Sequence, residues 1–335
     1  MAEKILITGA GGYLGSITTY LFLQNGYEVV ALDNFITGYR EPLELLQKKF
    51  RKEKLRFYEV DLRDDLKKIL DRETGIVAAV HFAASCLVDE SMKNPRKYFT
   101  NNVTGSQNLL AALLEAGIDK IVFSSTAAVY GEAKNVPINE EHPTDPINPY
   151  GASKKMVEEI VQWYGKLLGL HYVIFRYFNV CGASDDGLIG DSKKPSQLLM
   201  QNAVRGALEI EPFYLVCPEV DTNDKTPIRD FVNVVDLATA HLKAVEYLLS
   251  GGQSEVINLG TGTGNSVLEI VERVQEITGV KFDVKKGESR KGDPAKLIAS
   301  NKKAQQVLGW QPERSITDSI NSLVKWYKTH PHGWE

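Results

Sequence analysis

Cysteine is scarce. Cys86, Cys181 and Cys217 are the only three in 335 residues, and none forms a CxxC pair. That argues against a disulfide framework or a zinc ribbon and fits a reducing cytoplasmic compartment. Histidine is also sparse: six residues show no metal-ligand spacing, and His330 and His332 read as a solvated tail, so no metal is expected. Positive charge is not in excess, with 39 Lys+Arg against 43 Asp+Glu and a net charge of −4. Such a balance offers nothing to neutralise a phosphate backbone, which argues against a nucleic-acid partner. An uninterrupted apolar run is missing too. Between Lys4 and Glu28 there is no charge, a length that could span a bilayer, but the centre reads TGAGGYLGSITT. Glycines and hydroxyls interrupt it, and it lacks the basic start and continuous apolar stretch of a signal peptide. A soluble protein without a membrane partner is expected.

What is present is an ordinary globular composition, 43% hydrophobic and 24% charged, in a chain long enough for about two domains. Ile5-Leu6-Ile7 is a short run of β-formers stopped by glycine, as in a strand buried on both faces. Leu14, Ile17, Leu21 and Leu23 then recur at helical spacing until Asn25-Gly26, and Glu28–Leu32 is a second strand ending at Asp33. The alternation continues, with strands predicted near Arg56–Val60, Ala78–Phe82, Ile121–Ser125 and Tyr172–Tyr177. Helices are predicted near Asp64–Arg72, Tyr98–Ala116 and Tyr150–Leu168. Repeated βα units imply an α/β fold, a Rossmann-type doubly wound parallel sheet. After residue 180 the chain is richer in Gly, Pro, Asp and Lys. The expected organisation is a dinucleotide-binding domain over 1–180, its sheet partly completed by later segments, and a smaller C-terminal α/β substrate lobe over 181–335.

Two local patterns carry chemistry. Gly9, Gly12 and Gly15 are spaced GxxGxxG between the first strand and the first helix. That spacing supplies a tight turn, a close backbone approach to a pyrophosphate, and close helix–strand packing. Asp33, after the second strand, can accept both hydroxyls of an adenosine ribose and would repel a 2′-phosphate, favouring NAD over NADP. The second pattern is Tyr150-Gly-Ala-Ser-Lys154 at the start of a predicted helix. Positions four apart share a helical face, so a phenol and an ammonium can serve one site. A nearby cation favours the phenolate of an otherwise poorly basic tyrosine. Ser124-Ser125-Thr126 closes the preceding strand, where a substrate oxygen could be held.

TGAGGYLG, Asp33, Val60-Asp61-Leu62, His81-Phe82-Ala83-Ala84, Asn101-Asn102-Val103-Thr104-Gly105, SSTAAVYG and YGASK together resemble an extended short-chain dehydrogenase/reductase. With Arg176-Tyr177-Phe178-Asn179, Arg229-Asp230-Phe231, Asn258-Leu259-Gly260 and Gly292-Asp293-Pro294, the whole chain is similar to the UDP-glucose (UDP-galactose) 4-epimerases of that family. The resemblance implies that Tyr150 is the catalytic base, that Lys154 binds the nicotinamide ribose and that Thr126 hydrogen-bonds the sugar 4-oxygen. It further implies an NAD site lined by Tyr13, Leu14, Asp33, Asn34, Asp61, Leu62, Phe82, Ala83, Ala84, Asn101 and Phe178. Asn179, Gln197, Arg229, Arg290 and Asp293 would hold uridine diphosphate. Leu297 would stand beside the sugar 2-substituent. A homodimer built from the Tyr98–Ala116 and Tyr150–Leu168 helices is implied as well.

Three places depart from the family pattern: Cys86 replaces a lysine found in one branch, Gln197 stands for asparagine or histidine, and Val216–Ile228 lacks its usual glycines. These bear on the choice of sugar. Related dehydratases carry an Asp-Glu pair after the threonine, whereas here Ala127 and Ala128 follow. Methyl groups cannot act as the acid and base that eliminating water requires, so epimerisation fits better. The alternatives are the same chemistry on UDP-N-acetylhexosamine or UDP-hexuronate, or a non-catalytic NAD-binding redox sensor. Gly260, Gly262 and Gly264 suggest a second nucleotide loop, but Ser266 with Glu269 reads as a capping box opening a helix.

Overall fold

A computed structural model describes residues 2–194, 196–287 and 294–334. In chain order the elements begin β1 (Lys4–Thr8), α1 (Tyr13–Gln24), β2 (Glu28–Asp33), α2 (Glu41–Phe50), β3 (Leu55–Glu59), α3 (Lys67–Arg72) and β4 (Ile76–His81). Next come α4 (Val88–Lys93), α5 (Pro95–Tyr98), a π turn (Phe99–Thr104), α6 (Gly105–Glu115), β5 (Lys120–Thr126), α7 (Pro149–Leu168) and β6 (His171–Tyr177). Then follow β7 (Asn179–Cys181), α8 (Leu199–Ala207), β8 (Tyr214–Leu215), β9 (Ile228–Arg229), β10 (Phe231–Asn233) and α9 (Val234–Leu249). The remainder are β11 (Glu255–Leu259), β12 (Asn265–Ser266), α10 (Val267–Thr278), β13 (Lys285–Lys286), β14 (Lys296–Leu297), α11 (Lys302–Leu308) and α12 (Ile316–Thr329).

Two compact units share the chain. The first holds residues up to Gly131 with Pro143–Arg176 and Ala238–Ile257; the second holds Glu132–His142, Tyr177–Leu237 and residues from Asn258 on. The first unit is organised by a seven-stranded sheet of order β11-β6-β5-β4-β1-β2-β3, in which β1 pairs in parallel with β2 and β4, β2 with β3, and β4 with β5. This is the doubly wound parallel sheet that the βα alternation implies. Strand order reverses at β1, so the carboxyl ends of β1 and β4 flank the position where such sheets bind ligands. On one face Leu109 and Leu113 of α6 and Val157 and Val161 of α7 pack with Leu6, Ile121, Phe123 and Ile174. All four helix residues are fully buried, each worth roughly 1.5–3 kcal/mol. They seat the middle of α6 and α7 against the sheet.

The long helix expected over Tyr98–Ala116 is instead α5, a π turn and α6. Asn101, Asn102 and Thr104 are poor helix formers, and Gly105 is worse, so the ladder slips by one residue where it costs least. Helices α2, α4 and α11 are additional to those expected, although Leu43, Leu46 and Phe50 of α2 do stand at helical spacing. Among its described residues the second unit has three small sheets, β10 with β7, β12-β9-β14, and β13 with β8. Its tail departs from the expected solvated segment: His330 stacks on Trp326 at 4.1 Å, and Trp334 is buried. Among the described residues no helix is long and apolar enough to cross a membrane.

Candidate active site

The first unit builds its cradle from the turn between β1 and α1. Gly9 has φ +68, and a Cβ there would stand 2.6 Å from the Ala83 nitrogen; at Gly15 a Cβ would overlap the Gly9 carbonyl. Only glycine lets the three segments meet so closely. Gly12 is the N-cap of α1, no side chain caps it, and the first turn holds no acid, so the positive end of the helix is left for an anion. Tyr13 and Leu14 are half-exposed on that turn, as are Ala83 and Ala84 at the end of β4.

Asp33 closes β2 and is buried, and its carboxylate accepts the Gly11 N–H at 2.9 Å and the Phe35 N–H at 2.8 Å. Burial raises its pKa and these amide bonds pull it back. Each oxygen keeps a lone pair, so capacity remains for two ribose hydroxyls. Asn34 donates to Asp61 at 2.9 Å, and Asp61 is also paired with Arg63, whose hydrogen bonds hold it well below the usual carboxylate range. The Leu62 carbonyl accepts from Asn108 at 2.6 Å. Phe82 packs against His241 of α9, with ring centroids 4.6 Å apart. The site therefore fits a dinucleotide: a helix N-terminus and glycine turn for the pyrophosphate, and a carboxylate with free lone pairs for a ribose.

Helix α7 starts on Asn148, whose side chain accepts the Gly151 N–H, with Pro149 in the first turn. That start places Tyr150 and Lys154 one turn apart on one face. Lys154 is buried, and its Nζ donates to the Ser124 carbonyl at 2.7 Å and lies 4.8 Å from the Phe123 ring centroid. Burial pushes its pKa down to about 8, while negative charge at Cys86 and Glu158 acts the other way. Two residues beyond Ser124, the Thr126 Oγ1 accepts the Ala128 N–H at 3.2 Å, leaving its own proton to be donated elsewhere. Tyr150 is half-buried, and the Tyr98 ring meets it edge-on at 6.4 Å.

A buried polar chain that spacing does not reveal runs under this site. Ser106 donates to the Asn102 carbonyl, so it receives the His81 Nε2–H at 2.8 Å. His81 Nδ1 then accepts from the Thr8 hydroxyl at 2.7 Å, and Thr8 Oγ1 accepts the Ala83 N–H at 3.4 Å. The network assigns a neutral imidazole, and burial followed by the Lys154 charge holds its pKa down to about 3. The Asn102 side chain bonds Ser85 N–H and C=O at 2.8 and 3.0 Å, accepts from Asn101 at 3.0 Å and donates to Ser153 Oγ at 2.9 Å. Ser153 in turn donates to the Tyr150 carbonyl at 2.7 Å. The paired asparagines inside a helical stretch were the available signal.

In the second unit Phe178 is buried and bonds the Leu259 carbonyl through its N–H at 3.3 Å, while Asn179 opposes Phe231 in the β7–β10 pair. Arg229 and Leu297 are register partners in the β9–β14 pair, and Arg229 Nη1 donates to the Pro294 carbonyl at 2.8 Å. Gln197 is half-buried just before α8. Arg290 and Asp293 lie outside the described residues. The Gly260–Gly264 stretch is no second phosphate loop. Its Thr261 and Gly262 amides close on the Asp230 carboxylate at 2.8 and 3.0 Å, and Ser266 with Glu269 forms the capping box of α10. Asp230 already fills the place an anion would take. Among the described residues no cluster of His, Cys, Asp or Glu could hold a metal ion.

The sequence profile of the NAD dependent epimerase/dehydratase family matches residues 5–260. The UDP-glucose 4-epimerase of Lactobacillus helveticus is 42% identical over 336 residues, 99% of each chain. The crystal structure of the UDP-glucose 4-epimerase of Bifidobacterium longum in complex with NAD+ and UDP superimposes with a TM-score of 0.92 at 32% identity, covering 99% of this chain and 100% of that one. The UDP-Glc/GlcNAc 4-epimerase of Campylobacter jejuni gives 0.83 at 38% identity, over 98% and 100%. Matched over most of its length by the family profile and over 99% of its length by the Lactobacillus helveticus relative, the chain belongs to the NAD-dependent epimerase/dehydratase family.

Proposed function

We propose that this protein interconverts UDP-glucose and UDP-galactose by inverting carbon 4 of the hexose. The observation that carries the reading is the end of β5. Lys154 is pinned to Ser124, Tyr150 stands one turn before Lys154, and the helical turn Ala127–Tyr130 after Thr126 opens with two methyl side chains. That set moves one proton at one hydroxyl and holds no second acid–base pair for elimination. NAD, when bound, supplies the acceptor and donor of hydride at carbon 4; Gly9, Gly12, Gly15, Asp33 and Lys154 are the residues that would hold it. The Tyr150 phenolate, favoured by the Lys154 charge, takes the 4-hydroxyl proton and later returns it. Thr126 donates its hydroxyl proton to the same oxygen. Asn179, Gln197, Arg229, Arg290 and Asp293 keep the uridine diphosphate in place while the 4-keto hexose turns over about its diphosphate link.

The same reading includes a homodimer. Met156, Trp163 and Leu167 recur at seven- and four-residue spacing on α7 and are 45%, 57% and 69% exposed, an apolar stripe that a second copy of α6 and α7 would cover as a four-helix bundle. A cytoplasmic location fits three cysteines of which none forms a disulfide. The test is turnover of UDP-galactose to UDP-glucose by purified protein without added cofactor, with the bound cofactor then released by denaturation. Turnover with stoichiometric NAD is expected. NAD without turnover of any UDP-sugar would point to the redox-sensor reading, and a stoichiometric 2′-phosphorylated cofactor would overturn the assignment of NAD.

A further inference from the structure

Directly behind the Thr126–Tyr150–Lys154 group lies a buried charge pair that the proton transfer leaves unused. Glu158, 2% exposed, sits on α7 one turn after Lys154 and two after Tyr150, so the three side chains form one stripe. Its carboxylate accepts from Ser125 Oγ, and from Arg176 of β6 through Nε at 3.0 Å and Nη2 at 2.6 Å. Arg176 Nη1 donates to the Tyr130 hydroxyl at 3.1 Å, and its guanidinium carbon lies 5.0 Å from the centroid of that ring. Tyr130 ends the short helical turn that follows Thr126. The network therefore joins β5, the turn after it, α7 and β6, the segments that carry or back all three catalytic groups.

Stability alone does not call for such a pair, because well-packed apolar residues in its place are often as good or better. Its placement does. Side chains alternate along a strand, so Ser125 points away from the face of Thr126, and a bond at Ser125 holds the strand without entering the site. Lys154 holds the same strand at the Ser124 carbonyl. Two adjacent strand residues are thus tied to two residues one turn apart on α7.

We propose that Glu158, through Arg176 and Ser125, is a positioning residue for the proton transfer at the sugar 4-oxygen, setting the offset between Thr126 on β5 and Tyr150 and Lys154 on α7. The inference rests on the epimerase reading. The double variant Glu158→Leu with Arg176→Met removes both charges and leaves none unpaired. It should keep a near-native melting temperature, full NAD occupancy and a KM for UDP-galactose within about two-fold of wild type, while kcat falls by roughly 10- to 100-fold, the cost of ångström-scale misplacement. Ser125→Ala, which deletes one hydroxyl, should lower kcat by about 3- to 10-fold at unchanged KM. A stable, NAD-loaded double variant with kcat within about two-fold of wild type would reduce the pair to packing and overturn the proposal. If the double variant does not fold, Ser125→Ala decides, and an unchanged kcat overturns it. Tyr150→Phe is run alongside. Native turnover in that variant would sink the assigned base, independently of the outcome at Glu158.

Discussion

In the proposed reaction single side chains decide which atom gives up a proton and which sugar is accepted. Tyr150 carries the phenol one turn before Lys154 on α7, so Tyr150→Phe should retain fold and bound NAD but lose turnover by roughly 10²–10⁴-fold, the usual worth of a positioned acid–base group. Steady-state kinetics with a cofactor assay check this, and activity within a few-fold of wild type would reassign the base. Leu297 tests breadth. Its carbonyl accepts the Asp230 N–H at 3.0 Å, so the backbone is held and only the side chain can swing. Leucine offers an acetamide no hydrogen bond, and burying that amide unpaired costs about 1–3 kcal/mol. UDP-glucose and UDP-galactose should be the better pair, UDP-N-acetylglucosamine should turn over weakly, and Leu297→Tyr should abolish only the latter. Equal rates on both pairs in the wild type would place the gate elsewhere.

Between elements, the work is done by His81. It links the strand end before the glycine turn to the π turn through Thr8 and Ser106, and it does so as a neutral ring. Its folded pKa of about 3 lies below the ordinary 6.5, so between those values the unfolded chain binds a proton that the folded one refuses. Stability therefore falls as pH drops from 6.5 toward 3, by up to about 1.4 kcal/mol per pH unit. Carboxylates held low, such as Glu73 with an ordinary value of 4.5, add to the loss only further down, and the half-buried His330 adds a smaller share. Urea midpoints taken between about pH 6.5 and 5 should show this slope, and His81→Asn should flatten it. An unchanged slope in that variant would assign the acid sensitivity to other groups.

For the whole molecule, the outstanding surface is the apolar stripe of α7. Met156, Trp163 and Leu167 face outward, whereas Leu109, Leu113, Val157 and Val161 are spent on the core. Light scattering at micromolar concentration should give twice the chain mass, and Trp163→Glu with Leu167→Glu should give monomers that still bind NAD. A monomeric wild type would refute the dimer.

Much of the site could be read from the residues alone, because its rules are local. A glycine turn between a strand and a helix, an acid at the end of the next strand, and a phenol and ammonium four residues apart are set by the geometry of one or two elements. The placement of Asp33 at the end of β2 and of Tyr150 and Lys154 one turn apart on α7 follows from that, as does the Ser266 cap. Tertiary structure decided the rest. Whether Asn102 would interrupt its helix depended on Ser85 and Ser153 arriving from other segments to take its amide. Glu158 and Arg176 could have been two surface charges; burial among β5, α7 and β6 made them a pair. Likewise Gly262 could have cradled a phosphate until Asp230 closed on it. In each case the energy lies in polar groups removed from water together, and no spacing along the chain records which partners will share that burial.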